Sequence, residues 1–168
     1  VLDLATGSGC IAISLAKRCP SVKVIASDLS DLALHLAKLN AESLDALGQV
    51  EFRHADGLAA LAKGEQMDLI LSNPPYIPTA EIDTLQPEVR NHDPRLALDG
   101  GTDGLRFYRQ LATEGLSRLK PGGKLMAEFG DGQAAAVEAL FQQTAWPSVE
   151  ITDDLSGRPR IVIASAGH

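Results

Sequence analysis

The chain reads as one α/β domain, a largely parallel sheet with helices packed on both faces. Two observations predict this. Short apolar runs alternate with helical patterns almost from end to end, and strands that alternate with helices need the crossover connections of a parallel sheet. The length of 168 residues suits a single domain, since domains commonly run ~100–200 residues. No internal repeat, low-complexity tract or linker divides residues 1–168.

The elements follow in order. Val1 to Ala5 reads as a strand and Cys10 to Arg18 as a helix, with a second strand from Val22 to Ser27. A helix over Asp31 to Leu44 carries Leu32, Leu36 and Leu39 on one face, the expected core face. The strand Val50 to His54, a helical turn near Leu58 to Ala62 and the strand Met67 to Leu71 come next. Asn73 to Asp103 is rich in Pro, Asp and Asn and shows no sustained period; connections of that length are usually functional or disordered. A helix over Leu105 to Leu119 repeats Leu105, Tyr108, Leu111, Ala112 and Leu119 at helical spacing, and Lys120 to Gly123 stops it with turn residues. The strand Lys124 to Phe129, a helix over Gln133 to Thr144 and strands at Val149 to Thr152 and Ile161 to Ser165 complete the chain.

Composition narrows the function classes. Hydrophobic residues make up 45% and charged residues 22%, with mean hydropathy +0.00, as in a globular protein with its own core. No apolar run approaches the ~20 residues of a membrane-spanning helix. The net charge of −7 argues against affinity built on nucleic-acid phosphates, which needs clustered Lys and Arg. Cys10 and Cys19 sit on one expected helix, ~13 Å apart along its axis, too far for a disulfide; two buried thiols of a reducing compartment are expected. The chain opens on Val1 inside an apparent core strand, without an initiator Met or a signal peptide, so an upstream segment is expected.

The first chemical motif is "LDLATGSGCIAISLA", a strand, a turn at Gly7-Ser8-Gly9, and a helix. In open α/β sheets ligands bind beyond the carboxyl ends of the strands, where strand order reverses. Gly7 and Gly9 lack Cβ atoms, which permits a tight turn and close approach of a ligand. Asp28 ends the second strand, where a carboxylate can accept hydrogen bonds from a ribose diol. Gly7, Gly9 and Ala12 also satisfy the G-x-G-x-x-A dinucleotide pattern. Asp3 inside the first strand suits a nucleoside carrying a sulfonium amino acid better than a pyrophosphate. After the third strand, Asp56 is placed either to reach an adenine amino group, with Gly57 giving the ring room, or to cap the turn that follows.

The second motif is Asn73-Pro74-Pro75-Tyr76, at the end of the fourth strand and on the same edge as the glycine turn. Pro74 biases Asn73 away from helical geometry, and the prolines fix their own φ angles and offer no N–H. A stiff corner remains that presents the Asn73 side-chain oxygen and the Pro74 carbonyl, with Tyr76 as a flat wall. Two acceptors and a wall suit a planar NH2 group. Such a nitrogen is a poor nucleophile because its lone pair is delocalised, as in any amide; holding both N–H bonds positions it and favours the geometry that aims the lone pair at an electrophile. No base is needed before attack, since the proton can leave after alkylation.

Together these residues resemble the class I S-adenosyl-L-methionine-dependent methyltransferases that carry an (Asn/Asp)-Pro-Pro-aromatic motif. "NPPYIP", "EVRNHDPRLALDGGTDGLRFYRQL", "LMAEFGDGQ" and "DLSGRPRIVIA" are similar to blocks of one family among them, the peptide chain release factor glutamine methyltransferases. The resemblance implies a Rossmann-like sheet of seven strands with the last antiparallel. It implies S-adenosyl-L-methionine as cofactor, held by Ala5, Thr6, Gly7, Ser8, Gly9, Asp28, Asp56, Gly57 and Asn73. It makes Asn73, Pro74, Pro75 and Tyr76 the substrate clamp, the acceptor being the glutamine amide of the Gly-Gly-Gln motif of a release factor. A bacterial cytoplasm, or an organelle, is the implied location, and a helical docking domain is implied upstream. Ala5 departs from the glycine of many relatives, and Gly57 from an aromatic of some. Two rival readings stand beside this one: a DNA or RNA amino-methyltransferase using the same clamp with base flipping, and a nicotinamide-dependent oxidoreductase or non-catalytic cofactor-binding module.

The remaining residues carry less. The histidines do not cluster with cysteines, so no metal site is expected. His35 and His54 read as surface or packed residues; His92, beside Asp93, reads as a loop hydrogen-bonding residue or a substrate contact. Ser8 lacks the glycine two residues before it that a nucleophile elbow needs. Arg95 is expected to order the long loop.

Overall fold

A computed structural model describes residues 1–167. Its seven strands are β1 (Leu2–Leu4), β2 (Val24–Asp28), β3 (Val50–His54), β4 (Met67–Ser72), β5 (Leu119–Glu128), β6 (Ser148–Asp153) and β7 (Pro159–Ser165). They form one sheet in the order β3-β2-β1-β4-β5-β7-β6. All neighbouring pairs from β3 to β5 are parallel, and β7 runs antiparallel to both β5 and β6. This is the seven-stranded α/β sheet the sequence predicts, with the last strand reversed.

The helices are α1 (Cys10–Arg18), α2 (Asp31–Ser43), α3 (Pro87–His92), α4 (Arg95–Leu98), α5 (Arg106–Glu114) and α6 (Ala134–Gln142). One side of the sheet packs Ala12, Ile13 and Ala16 of α1 and Ala41 of α2 against Val24, Ala26 and Val50. The other, larger core joins Leu2, Leu4, Ile70, Leu125 and Ala127 to Tyr108, Leu111, Val137, Phe141 and Trp146. Burying a side chain of that size stabilises by roughly 1.5–3 kcal/mol, so this second core dominates the packing.

Four expectations are corrected. Helix α2 faces the sheet with Leu34, Ala37 and Ala41, while Leu32 is 82% exposed and Leu36 and Leu39 also point outward. The reason is closeness: a Cβ on Gly9 would lie 3.1 Å from Ala37 Cβ and 3.4 Å from its Cα, so only a small residue fits where α2 passes the glycine turn. Cys10 and Cys19 are exposed rather than buried, because they stand at the first position and the C-cap of α1, outside its buried stripe. Helix α5 ends at Glu114 and passes into a 3₁₀ turn over Gly115–Arg118; Gly115 lies against Leu125 and the Trp146 ring, where a Cβ would come within 2.8 Å and 3.2 Å. Residues 120–123 lie inside β5 as an irregularity, since pairing with β4 jumps from Met67↔Leu119 to Leu69↔Lys124.

The long connection from Asn73 to Asp103 contains a 3₁₀ turn over Thr79–Thr84 and the short helices α3 and α4. Arg95 makes an exposed ion pair with Asp83 within it, at 3.1 Å. His92 is exposed and its side chain makes no hydrogen bond among the described residues, contrary to the loop hydrogen bond expected of it. His35 and His54 are surface residues. No helix among the described residues is long and apolar enough to cross a membrane.

Candidate active site

Strand order reverses between β1 and β4, and both strands stop at the same level. Leu4 pairs with Ser72, whose hydroxyl donates to the Leu4 carbonyl at 2.9 Å. The next residue on β1, Ala5, turns left-handed at φ 54°; the next on β4, Asn73, meets two prolines. The two central strands therefore diverge and open a crevice at the switch point, where ligands of such sheets bind.

The glycine turn forms one wall. Gly7 and Gly9 take φ values of 56° and 82°, which residues with a Cβ adopt only with strain. Nothing lies within 4 Å of where a Gly7 Cβ would stand, so the turn borders open space. Asp3, 1% exposed, lies beneath. Its Oδ2 accepts from the Thr6 hydroxyl at 2.7 Å and from the Ala12 N–H at 3.0 Å, which fixes the turn and caps α1. Its Oδ1 is buried with no partner. Burial pushes the Asp3 carboxyl up to about 6, against the bonds from Thr6 and Ala12 that favour its charged form.

Asp28 stands on the adjoining strand end. Its Oδ2 accepts from the Gly7 N–H at 2.9 Å and its Oδ1 from the Ser30 N–H at 2.9 Å. Each oxygen keeps a second lone-pair site, so the carboxylate is held in place and still able to accept from a diol. The Ala55 N–H donates to the Asp28 carbonyl at 3.1 Å, which brings the β3 end beside it. There Asp56 is exposed and makes no side-chain cap bond, so the capping alternative fails. Gly57 turns left-handed at φ 52°, and a Cβ there would lie 2.5 Å from Gln110 Oε1, the end of a flexible side chain.

The opposite wall is Asn73 to Tyr76. Asn73 is exposed, Pro74 and Pro75 are buried, and Tyr76 is half-buried. Among the described residues neither the Asn73 side chain nor the Pro74 carbonyl makes a hydrogen bond; the Asn73 amide is exposed, and the Pro74 carbonyl belongs to a buried residue beside it. The strap beyond is stitched down: Ile77 N–H to the Leu98 carbonyl at 3.0 Å, Gly100 N–H to the Ile77 carbonyl at 2.9 Å and Thr79 N–H to the Gly101 carbonyl at 2.9 Å. Asp99 Oδ1 accepts from the Thr79 hydroxyl at 2.6 Å and from the Gly101 N–H at 2.9 Å; these bonds, the hydroxyl first, hold its carboxyl below the usual range.

Tyr76 sits in a cage of three glycines that the motif reading missed. A Cβ on Gly100 would come within 2.8 Å of the Tyr76 Cα, one on Gly130 within 2.9 Å of its ring, and one on Gly104 would run into its carbonyl oxygen. Gln133 closes the cage, donating from Nε2 to the Tyr76 carbonyl at 2.9 Å and accepting at Oε1 from the Gly130 N–H at 2.8 Å. The available signal was the glycine density of "LDGGTDG" and "FGDGQ", which pattern reading treats as turns. No group of three or more His, Cys, Asp or Glu among the described residues could hold a metal ion.

The residues fit a nucleoside with a cationic amino-acid arm and do not fit a pyrophosphate. Asp28 and Asp56 offer acceptors and negative charge along one edge, and Asp3 lies buried beneath the turn. Asp3 already occupies the N-terminal Ala12 N–H of α1, where a phosphate would otherwise dock, and its charge would repel one.

Comparison with known proteins agrees. The chain is 47% identical over 163 residues to a release factor glutamine methyltransferase of Caulobacter vibrioides, covering 97% of this chain and 56% of that protein. It is 46% identical over 164 residues to one of Cereibacter sphaeroides, covering 98% and 58%. The chain thus spans a little over half the length of these relatives. Its fold matches a methyltransferase of Pyrococcus furiosus with TM-score 0.72 at 18% identity, over 99% of this chain and 74% of that one. It also matches TrmN of Thermus thermophilus with TM-score 0.64 at 23% identity, over 98% and 43%. A family model described as "Methyltransferase small domain" matches residues 1–100, the span that holds the glycine turn, Asp28, Asp56 and the Asn73 corner, and the chain belongs to that family.

Proposed function

We propose that the chain transfers a methyl group from S-adenosyl-L-methionine to the side-chain amide nitrogen of a glutamine, that of the Gly-Gly-Gln motif of peptide chain release factors. The observation that carries the chemistry is the pair of unspent acceptors at Asn73 and Pro74, across a switch-point crevice from Asp28 and Asp56. The names of the relatives carry the choice of substrate. A cytoplasmic location goes with that substrate.

Ala5 to Gly9 and Asp28 would hold the ribose end of the cofactor, Asp56 the base and Asp3 with Asn73 the amino-acid end. When bound, S-adenosyl-L-methionine supplies an electrophilic methyl group on a sulfonium sulfur. The Asn73 side-chain oxygen and the Pro74 carbonyl take the two N–H bonds of the substrate amide, and Tyr76 walls the plane of the group. This positions the nitrogen and stabilises the positive charge that develops on it as it is alkylated. The N-alkylated amide is a strong acid, so water suffices to remove its proton.

The test is radiolabelled methyl transfer to a release factor, to its Gln→Ala variant, and to DNA and RNA. Label is expected on the wild-type factor alone. Label on nucleic acid with none on the factor would replace this reading with the nucleic-acid amino-methyltransferase.

A further inference from the structure

Gln133 lies between two segments that the clamp needs and that the chain keeps far apart. It follows β5, at the N-cap of α6, and its half-buried side chain occupies a slot that two glycines clear. A Cβ on Gly104 would stand 2.6 Å from its Nε2, and one on Gly130 would stand 2.9 Å from its Oε1. Both ends of the amide are engaged. Oε1 accepts from Gly130 at the end of the sheet, and Nε2 donates to the carbonyl of Tyr76, the last residue of the clamp.

We propose that Gln133 is a positioning residue for the methyl acceptor: its amide latches the Asn73–Tyr76 corner to the end of β5 and so sets where the Pro74 carbonyl and the Tyr76 wall meet the substrate. This rests on the clamp reading of Asn73 to Tyr76. Pro74 and Pro75 lack N–H groups, so the corner cannot be fastened to the sheet by their backbone donors. The Tyr76 carbonyl lies just behind it, and a side chain reaching in from the N-cap of α6 holds that carbonyl. Glutamine is suited to this because one amide carries an acceptor and a donor at fixed separation.

The two bonds have separable consequences. The Gly130 bond orders the turn that starts α6, a structural role. The Tyr76 bond acts on the clamp alone. Gln133→Leu removes both. Gln133→Glu keeps an acceptor for the Gly130 N–H, places a negative charge at a helix N-terminus where it is favourable, and cannot donate to the Tyr76 carbonyl.

The experiment measures methyl transfer to a release factor under steady-state conditions and S-adenosylhomocysteine binding by calorimetry, with thermal melts of each protein. Both variants are expected to lose about 10–100-fold in kcat/KM for the release factor, the effect of misplacing a reacting group by up to ~1 Å. Binding of S-adenosylhomocysteine should stay within about twofold, because the contacts of Gly7, Asp28 and Asp56 are untouched. Both variants should remain folded at the assay temperature in the melts, so that lost transfer is not lost fold. Wild-type turnover by Gln133→Glu would overturn the proposal, as would parallel losses of transfer and binding. If the wild-type protein methylates no release factor, the proposed function fails and this inference fails with it; if only the variants behave otherwise, this inference alone fails.

Discussion

Gly104→Ala is the sharpest probe of the clamp. Gly104 has φ 74°, and an added Cβ would strike the Tyr76 carbonyl oxygen, its carbonyl carbon at 3.2 Å and Gln133 Nε2 at 2.6 Å. Two effects add. A residue with a Cβ in the left-handed region costs ~1–2 kcal/mol, and overpacking backbone that cannot swing aside costs ~1–3 kcal/mol more. The expected loss is therefore ~2–5 kcal/mol, a large share of the ~5–15 kcal/mol that holds a domain folded. Gly64→Ala separates the two effects, since Gly64 has φ 81° with nothing within 4 Å of its Cβ position; it should show the conformational part alone. Urea unfolding of both variants measures the difference, and methyl transfer measures its local consequence. If the Tyr76 carbonyl yields by ~1 Å, transfer by folded Gly104→Ala should fall ~100-fold, with transfer by Gly64→Ala unchanged. Equal destabilisation of the two variants, or wild-type transfer by Gly104→Ala, would refute the cage.

Asp3 makes stability depend on pH. Burial raises its folded value to about 6, above the ordinary 3.8 of an aspartate, so the folded state holds the proton more tightly and the stabilisation is present in acid and lost as pH rises through about 6. From pH 4.5 to 7.5 this group should remove ~2 kcal/mol, a decline that Asp3→Asn abolishes in urea titrations at the two pH values. Ala5→Gly should stabilise the chain by ~1 kcal/mol, because Ala5 sits at φ 54° where glycine is unstrained; a lower unfolding midpoint would contradict this. Asn73→Ala should abolish methyl transfer while S-adenosylhomocysteine still binds in calorimetry, and wild-type turnover in that variant would remove Asn73 from the chemistry.

The glycine turn and Asp28 were legible in the sequence because strand, turn and helix are adjacent and each is marked locally. Asp56 was legible in place but not in role, since only the geometry shows that it caps nothing. The α2 face is set by space: Leu32, Leu36 and Leu39 share the helical period with Leu34, Ala37 and Ala41, and the choice between stripes is made by how closely α2 passes Gly9. Hydrophobicity favours the leucines; space favours the alanines. The glycines of the Tyr76 cage stand out in the sequence, but their joining to Tyr76 and Gln133 does not, because it links residues from 76 to 133 that no local pattern relates.

The strap after the clamp is fastened at both ends, Ile77 and Thr79 lying against Leu98 to Gly101. Residues 80–97 between those fastenings are largely exposed, with Ile82 tucked in. A loop closed by its own short ladder is mechanically insulated from what it carries, and further length costs little closure entropy, ~0.6 kcal/mol per doubling. The proposed clamp at Asn73 and the outline of the segment beyond it can therefore change independently. Grafting a different segment between Thr79 and Leu98, or nicking it with a protease, should alter which acceptor gains entry before it disturbs how the captured nitrogen is held.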